Sequence, residues 1–349
     1  MKKHALGILT SVSVSVLILW FLFKLVRDES NPVGIADLAD IFGKTSATMF
    51  LVFLAIHLAG VAVRTLRFRV LIEAAHSDQL PGFVPMTLVT LIRNMTVDML
   101  PSRAGELFYV GLLNRGLGVR LDACFSSLAV SIWFDIMVII PLVLALVLYP
   151  VFDASLQQKL LVLAGVLLVI CATGIMILYP GLALIARWLN RFAGSDSAVL
   201  KKLSSFVSQF ANSVKDSLGR RTVIKTFFLT VGVRLCKYTS IVILFTAIAR
   251  AGFPELADAD PGSIVIALLA SEAGASLPLP TFMSFGAYEA GGLAAFSILG
   301  MPVSTAALAL FAVHVVTQMV DYTLGGISFV AFLMITDMKP SWFREFVKN

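Results

Sequence analysis

The chain has 349 residues, 58% of them apolar and only 14% charged, with a formal net charge of +6 and a mean hydropathy of +0.93. Soluble proteins carry about 25% charged residues, and two cores of ordinary domain size cannot bury so many apolar side chains, so soluble classes are excluded. The basic balance fits Lys and Arg collected in cytoplasmic loops, not nucleic-acid binding. Cys124, Cys171 and Cys236 have no CxxC spacing, and His4, His57, His76 and His314 form no ligand pair. Walker A, GxSxG and GxGxxG elements are absent from the sequence. The expectation is therefore no metal, no cofactor and no catalytic residue.

In chain order, Met1-Lys2-Lys3-His4 precedes an apolar run that ends in Lys24 and Arg27 and lacks a small-x-small cleavage site. This predicts an uncleaved first membrane helix over about 5–26. Five more uninterrupted apolar segments follow at about 47–71, 121–150, 159–186, 223–250 and 303–336, each long enough to span a bilayer. Two others are broken. Segment 83–114 is interrupted around Asp98-Met99-Leu100-Pro101-Ser102-Arg103, and segment 262–299 around Leu277-Pro278-Leu279-Pro280-Thr281. Proline removes a helix hydrogen bond and pushes its predecessor out of the helical region, so each break yields two half-helices.

Charge decides whether the broken segments cross. Residues 187–225 hold Arg187, Arg191, Lys201, Lys202, Lys215, Arg220, Arg221 and Lys225 against Asp196 and Asp216, which places this stretch in the cytoplasm. Only if both broken segments turn back does it fall there together with the N-terminus and the Lys339/Arg344/Lys348 tail. The prediction is an all-α polytopic membrane protein with six full transmembrane helices and two oppositely oriented re-entrant hairpins. The whole chain, 1–349, is then one membrane domain, with repeat halves at 47–150 and 223–336 and a cytoplasmic amphipathic linker at 187–222. Both termini are cytoplasmic in a bacterial inner (plasma) membrane. Inverted repeats with paired broken helices point to a midplane site; two helices merely kinked at proline are the competing description. Within the linker, Leu203, Phe206, Val207, Phe210, Val214 and Leu218 recur at helical spacing. They predict a helix over 199–218 lying on the inner membrane surface, with partner docking as its alternative use.

Charges inside membrane segments are costly and are functional candidates, with internal ion pairing as the competing role. Arg103 and Glu106 are three apart, so a half-helix starting near Ala104 brings them together beside unpaired N–H groups that suit an anion. Arg93, Asn94 and Asp98 line the arm before the break. The second break offers Glu272 on its entering arm and Glu289 on its return arm, the latter a proton-responsive group or a partner for Arg234. The first spans of the two halves carry Arg64 and Arg67, and Arg234 and Lys237. The last spans carry Asp135 and Asp321, and His314, Gln318 and Asp321 share one helix face. Substrate binding is thus assigned to Arg64, Arg67, Arg103, Glu106, Arg234 and Glu289. Gating or proton coupling is assigned to Asp135, Glu272, His314 and Asp321. Gly291-Gly292 and Gly325-Gly326 permit close packing, within the chain or between copies in a homo-oligomer.

Arg64-Thr-Leu-Arg67-Phe-Arg69, Leu100-Pro-Ser-Arg-Ala-Gly-Glu106 and the Pro-rich break leading to Gly286-Ala-Tyr-Glu289 together resemble the lysylphosphatidylglycerol synthase transmembrane region, a flippase-like family. The resemblance covers most of the chain and lacks the aminoacyl-transferase domain of bifunctional members. It implies a membrane domain that translocates lipids or works beside enzymes making lipid-linked products. Met283 and Ser284 stand where the family often has a Gly-Gly turn, Ser131 and Ile132 where it often has Glu-Arg before the Asp of the next span, and Tyr109 where it often has a basic residue. The leading expectation is a non-enzymatic translocase for an anionic phospholipid or polyprenyl-phosphate-linked lipid. The alternatives are a partner subunit of a glycosyltransferase or lipid-synthesis complex, and an intramembrane lipid-modifying enzyme.

Overall fold

In the computed structural model the described residues are 2–26, 38–75, 80–99, 105–148, 156–192, 198–275 and 281–336. Every regular element among them is helical. The long helices are α1 (Lys2–Val26), α3 (Ala47–Ala74), α6 (Leu121–Leu148), α7 (Leu156–Phe192), α9 (Arg220–Gly252) and α13 (Val303–Ile335). They fall where the six apolar runs predict them. Among the described residues, four stretches are long and apolar enough to cross a membrane: Ala47–Ala74, Leu121–Ile139, Arg220–Gly252 and Val303–Ile335. Short α2 (Leu38–Lys44) and α10 (Pro254–Ala257) were not anticipated, because seven and four residues are too few to show a helical period.

Both broken segments are helix–break–helix. The first gives α4 (Phe83–Met99) and α5 (Glu106–Gly111), which runs on into a π turn at Leu112–Gly116. The second gives α11 (Pro261–Ala275), a 3-10 turn at Phe282–Ser284 and α12 (Ala287–Ile298). The prolines at both breaks and Arg103 lie outside the described residues. Each half of the chain thus repeats long helix, broken helix, long helix.

The chain forms two units, one of residues 1–60, 91–108 and 234–329, the other of residues 61–90, 109–233 and 330–349. Each unit draws on both repeat halves. In the first unit, Phe53, Phe245, Phe253 and Phe296 anchor an apolar core with Leu38 and Ile41 of α2. Small residues let the arms of the second hairpin meet. A Cβ on Gly274 would run into the Ala287 carbonyl, and one on Gly291 into the Ala270 carbonyl. At the first break, a Cβ on Gly105 would strike the Thr96 carbonyl, so the chain has already doubled back onto α4 there. A Cβ on Gly325 would meet the Met95 side chain. These glycines serve packing within the chain.

α1 closes over the second break. The Phe282 N–H donates to Ser15 Oγ at 2.7 Å, and Ile18 faces Gly286. Ser15 is one hydroxyl in an apolar run, and nothing in its local sequence marks it.

In the second unit, Leu71, Val130, Phe134 and Val214 form a buried cluster with Phe210, Leu218, Val223 and Phe227 against it. The amphipathic linker folds as helix α8 (Ala198–Ser217), which packs on α6 and α7. Phe206 meets Phe125 edge-on at 5.6 Å, Ser213 Oγ donates to Asp122 at 2.6 Å, and Ser126 and Ser217 share a hydrogen bond. α6 thus meets α8 with both an apolar face and hydroxyl and carboxylate partners.

Candidate functional site

In the first unit, Arg93 of α4 and Glu106 of α5 form a two-pronged ion pair across the first break. Arg93 Nε donates to Glu106 Oε2 at 2.7 Å, and Nη2 to Oε1. Their side chains are only 11% and 10% exposed. A guanidinium and a carboxylate match in this fork geometry, which makes the pair strong and directional. α5 begins at Glu106, close to where the spacing placed its start, and among the described residues Glu106 pairs with Arg93 on the arm before the break. Arg103, the partner that spacing along one helix favoured, lies outside the described residues; the fold-back at Gly105 is what brings α4 alongside.

At the second break, Glu289 binds in two directions. Its Oε2 accepts the Gly286 N–H at 2.6 Å, capping α12, and its Oε1 lies 2.7 Å from His314 Nδ1 of α13. A carboxylate only accepts, so Nδ1 carries the proton. His314 Nε2 is then free to accept from Gln318 Nε2 at 3.2 Å. Phe285 and Tyr288 lie against the imidazole, each with its centroid 4.4 Å away. The expected Glu289–Arg234 partnership is corrected. His314 takes the carboxylate, while Arg234 and Lys237 of α9 turn to Glu272 of α11, at 3.9 and 2.6 Å. Tyr238 donates to the same Glu272 at 3.3 Å. Tyr238 was missed, although it stands one turn beyond Arg234 on the same helix face.

The chain enters α12 through left-handed backbone at Met283 (φ 54°), Ser284 (φ 60°) and Gly286 (φ 89°). Only Gly286 is the residue type suited to it. Met283 and Ser284 adopt it at a conformational cost. Met283→Gly should raise stability by roughly 1 kcal/mol through relief of the left-handed strain. Thermal unfolding in detergent would read this as a higher midpoint, and an unchanged or lower midpoint would refute it.

His57 of α3 stands 3.3 Å from Asp321 of α13. Asp98, at the end of α4, is within electrostatic range of Asp321, Lys237, His314 and Arg93. Among the described residues, the polar centre of this unit therefore contains five carboxylates (Asp98, Glu106, Glu272, Glu289, Asp321) and three fixed cations (Arg93, Arg234, Lys237). The fixed cations serve Glu106 and Glu272. The imidazoles serve Glu289 and Asp321, and imidazole is the side chain whose charge changes nearest neutral pH.

In the second unit, Arg67 is 1% exposed and bound on two sides. Its Nη1 and Nη2 donate to Asp135 of α6 at 2.8 and 3.1 Å, and Nη1 also donates to Thr230 of α9 at 3.1 Å. These contacts tie three helices together and pair Arg67, assigned to substrate, with Asp135, assigned to gating. Arg64, half-buried on α3, belongs to the same unit.

A helical chain with membrane-length apolar helices, two broken helices and buried ion pairs at both breaks is an integral membrane protein built around interrupted helices. The chain belongs to the lysylphosphatidylglycerol synthase TM region family, whose model matches residues 8–325. No curated protein and no solved structure matches it.

Proposed function

We propose that the protein is a lipid translocase that carries out no covalent chemistry. It moves an anionic phospholipid or a polyprenyl-phosphate-linked lipid between leaflets of a bacterial inner membrane, with both termini in the cytoplasm. The observation that carries this reading is the Arg93–Glu106 pair, a buried guanidinium and carboxylate held across a helix break in a membrane domain of a lipid-related family. The two hairpins are taken to be re-entrant and oppositely oriented, so that charged side chains are held at membrane depth while acyl chains stay in lipid. A lipid phosphate can displace Glu106 from Arg93, because the fork that fits a carboxylate also fits a phosphate. Arg103, three residues before Glu106 in the sequence and outside the described residues, is taken to add a second cation. The His314–Glu289 and His57–Asp321 pairs are the groups through which protons would couple to the exchange.

Docking of a partner enzyme on the linker helix is not favoured, since α8 already has its apolar stripe on α6 and α7.

The test is head-group-labelled lipid flipping in proteoliposomes, across anionic, zwitterionic and polyprenyl-phosphate lipids. Wild-type protein should flip one class, and Glu106→Gln and Arg103→Ala should abolish it. Folded protein that flips no lipid, with or without a proton gradient, overturns the reading, and so does full activity in Glu106→Gln.

A further inference from the structure

A cavity of about 250 Å³ opens in the second unit between the end of α3 and the start of α9, lined by Val70, Glu73, Ala74, Arg221, Thr222 and Lys225. It is remote in sequence from both helix breaks and uses none of the residues placed in translocation. Two cations and one carboxylate face this common space, yet none of the three makes an ion pair among the described residues. Opposite charges that share a cavity and stay apart leave room for a ligand bearing both signs.

Two unmet polar atoms lie on the same helices, one turn from the lining residues. Thr226, one turn beyond Thr222 on α9, is fully buried, and its Oγ1 has no hydrogen-bond partner among the described residues. Arg69, one turn before Glu73 on α3, has a buried Nε in the same condition. Unmet buried polar atoms are costly. Here they belong to the two helices whose ends line the cavity. The cavity also sits at the first turns of a 33-residue helix, where unpaired N–H groups favour an anion.

We propose that this cavity binds a zwitterionic phosphoethanolamine-type head group from the leaflet on the side of the basic linker. Arg221, Thr222 and Lys225 hold the phosphate, and Glu73 holds the ammonium. A purely anionic head group would set its charge against Glu73 and leave that carboxylate unused. A purely cationic one would face Arg221 and Lys225. The bipolar group matches all three. This site is independent of the translocation reading and stands or falls without it.

The experiment uses the full chain in nanodiscs of phosphatidylcholine doped with photoactivatable phosphatidylethanolamine or phosphatidylglycerol. Crosslinked peptides are mapped and yields compared. Wild-type protein should crosslink phosphatidylethanolamine in the 70–74 and 221–225 segments in preference to phosphatidylglycerol. Glu73→Gln should lower the phosphatidylethanolamine yield about three- to fivefold, the range expected for an exposed charge pair, and leave phosphatidylglycerol unchanged or higher. Lys225→Gln should lower both. Size-exclusion elution and melting temperature confirm that each variant is folded, and Glu73→Asp, which keeps the charge, should restore preference. Competition by water-soluble glycerophosphoethanolamine at a concentration equal to the lipid's would assign the same chemistry to a soluble ligand. No competition assigns it to a lipid. Equal labelling by the two lipids in wild-type protein, or a phosphatidylethanolamine yield untouched by Glu73→Gln, overturns the proposal.

Discussion

Asp135→Asn is expected to destabilise the protein by about 3–5 kcal/mol, the cost of leaving a buried charge without its partner. Arg67 has nowhere to turn. It is 1% exposed, its two terminal nitrogens are committed to Asp135, and among the described residues its remaining side-chain hydrogen bond goes to the hydroxyl of Thr230. An asparagine keeps the shape and one acceptor oxygen but removes the countercharge and sets an NH2 group against a guanidinium N–H. Arg67→Met alone should be similarly harmful, because Asp135 then stays charged in an apolar wall. The double variant Arg67→Met/Asp135→Leu should recover most of the loss, since replacing both members of a buried pair by apolar side chains is often neutral or better. Thermal unfolding of wild type, Arg67→Met, Asp135→Leu and the double variant in one detergent gives the double-mutant cycle directly, with Asp135→Asn measured beside them. Two single variants within about 0.5 kcal/mol of wild type would mean the pair is solvated and not structural. The double variant should also keep lipid flipping in proteoliposomes, which separates a helix tie from a substrate ligand.

Glu289→Gln should have the largest effect on transport among second-hairpin variants, with a loss of roughly ten- to a hundredfold, equivalent to one charge-assisted buried hydrogen bond. The amide oxygen can still accept from the Gly286 N–H, so the cap of α12 survives. The other arm becomes an NH2 group facing His314 Nδ1–H, donor against donor, and the charge is gone. The variant should therefore fold and elute normally yet flip poorly. His314→Gln, which loses the same contact, should be impaired to a similar degree. Wild-type transport in both variants would remove the second break from the coupling path and leave the Arg93–Glu106 exchange to stand alone.

Helix positions were legible because apolar runs of membrane length are long and unambiguous, and because proline interrupts them visibly. The breaks at 98–103 and 277–281 and all six long helices follow from that alone. Partners were less legible, and each miss has a physical reason. Glu106 has a cation three residues away in sequence, yet the fold-back at Gly105 gives it one thirteen residues away. Arg234 and Glu289 each carry an unmatched charge on paper, yet α11 intervenes with Glu272, and α13 supplies His314. The amphipathic stripe of α8 marks a helix with one apolar face, but that Phe125, Asp122 and Ser126 of α6 meet it depends on residues far off in sequence.

By itself the sequence determined that this chain enters a membrane, where its helices begin and stop, and which residues carry a charge there against the cost of burial. Those properties depend on composition and on neighbours along one chain. The tertiary structure alone decided which charges neutralise one another, that Arg67 and Asp135 form a helix tie, that His314 serves Glu289, and that Arg221, Lys225 and Glu73 line one cavity without an ion pair among the described residues. Ion pairing depends on distances of a few ångströms between helices far apart in sequence, and helical periodicity carries no information about those distances.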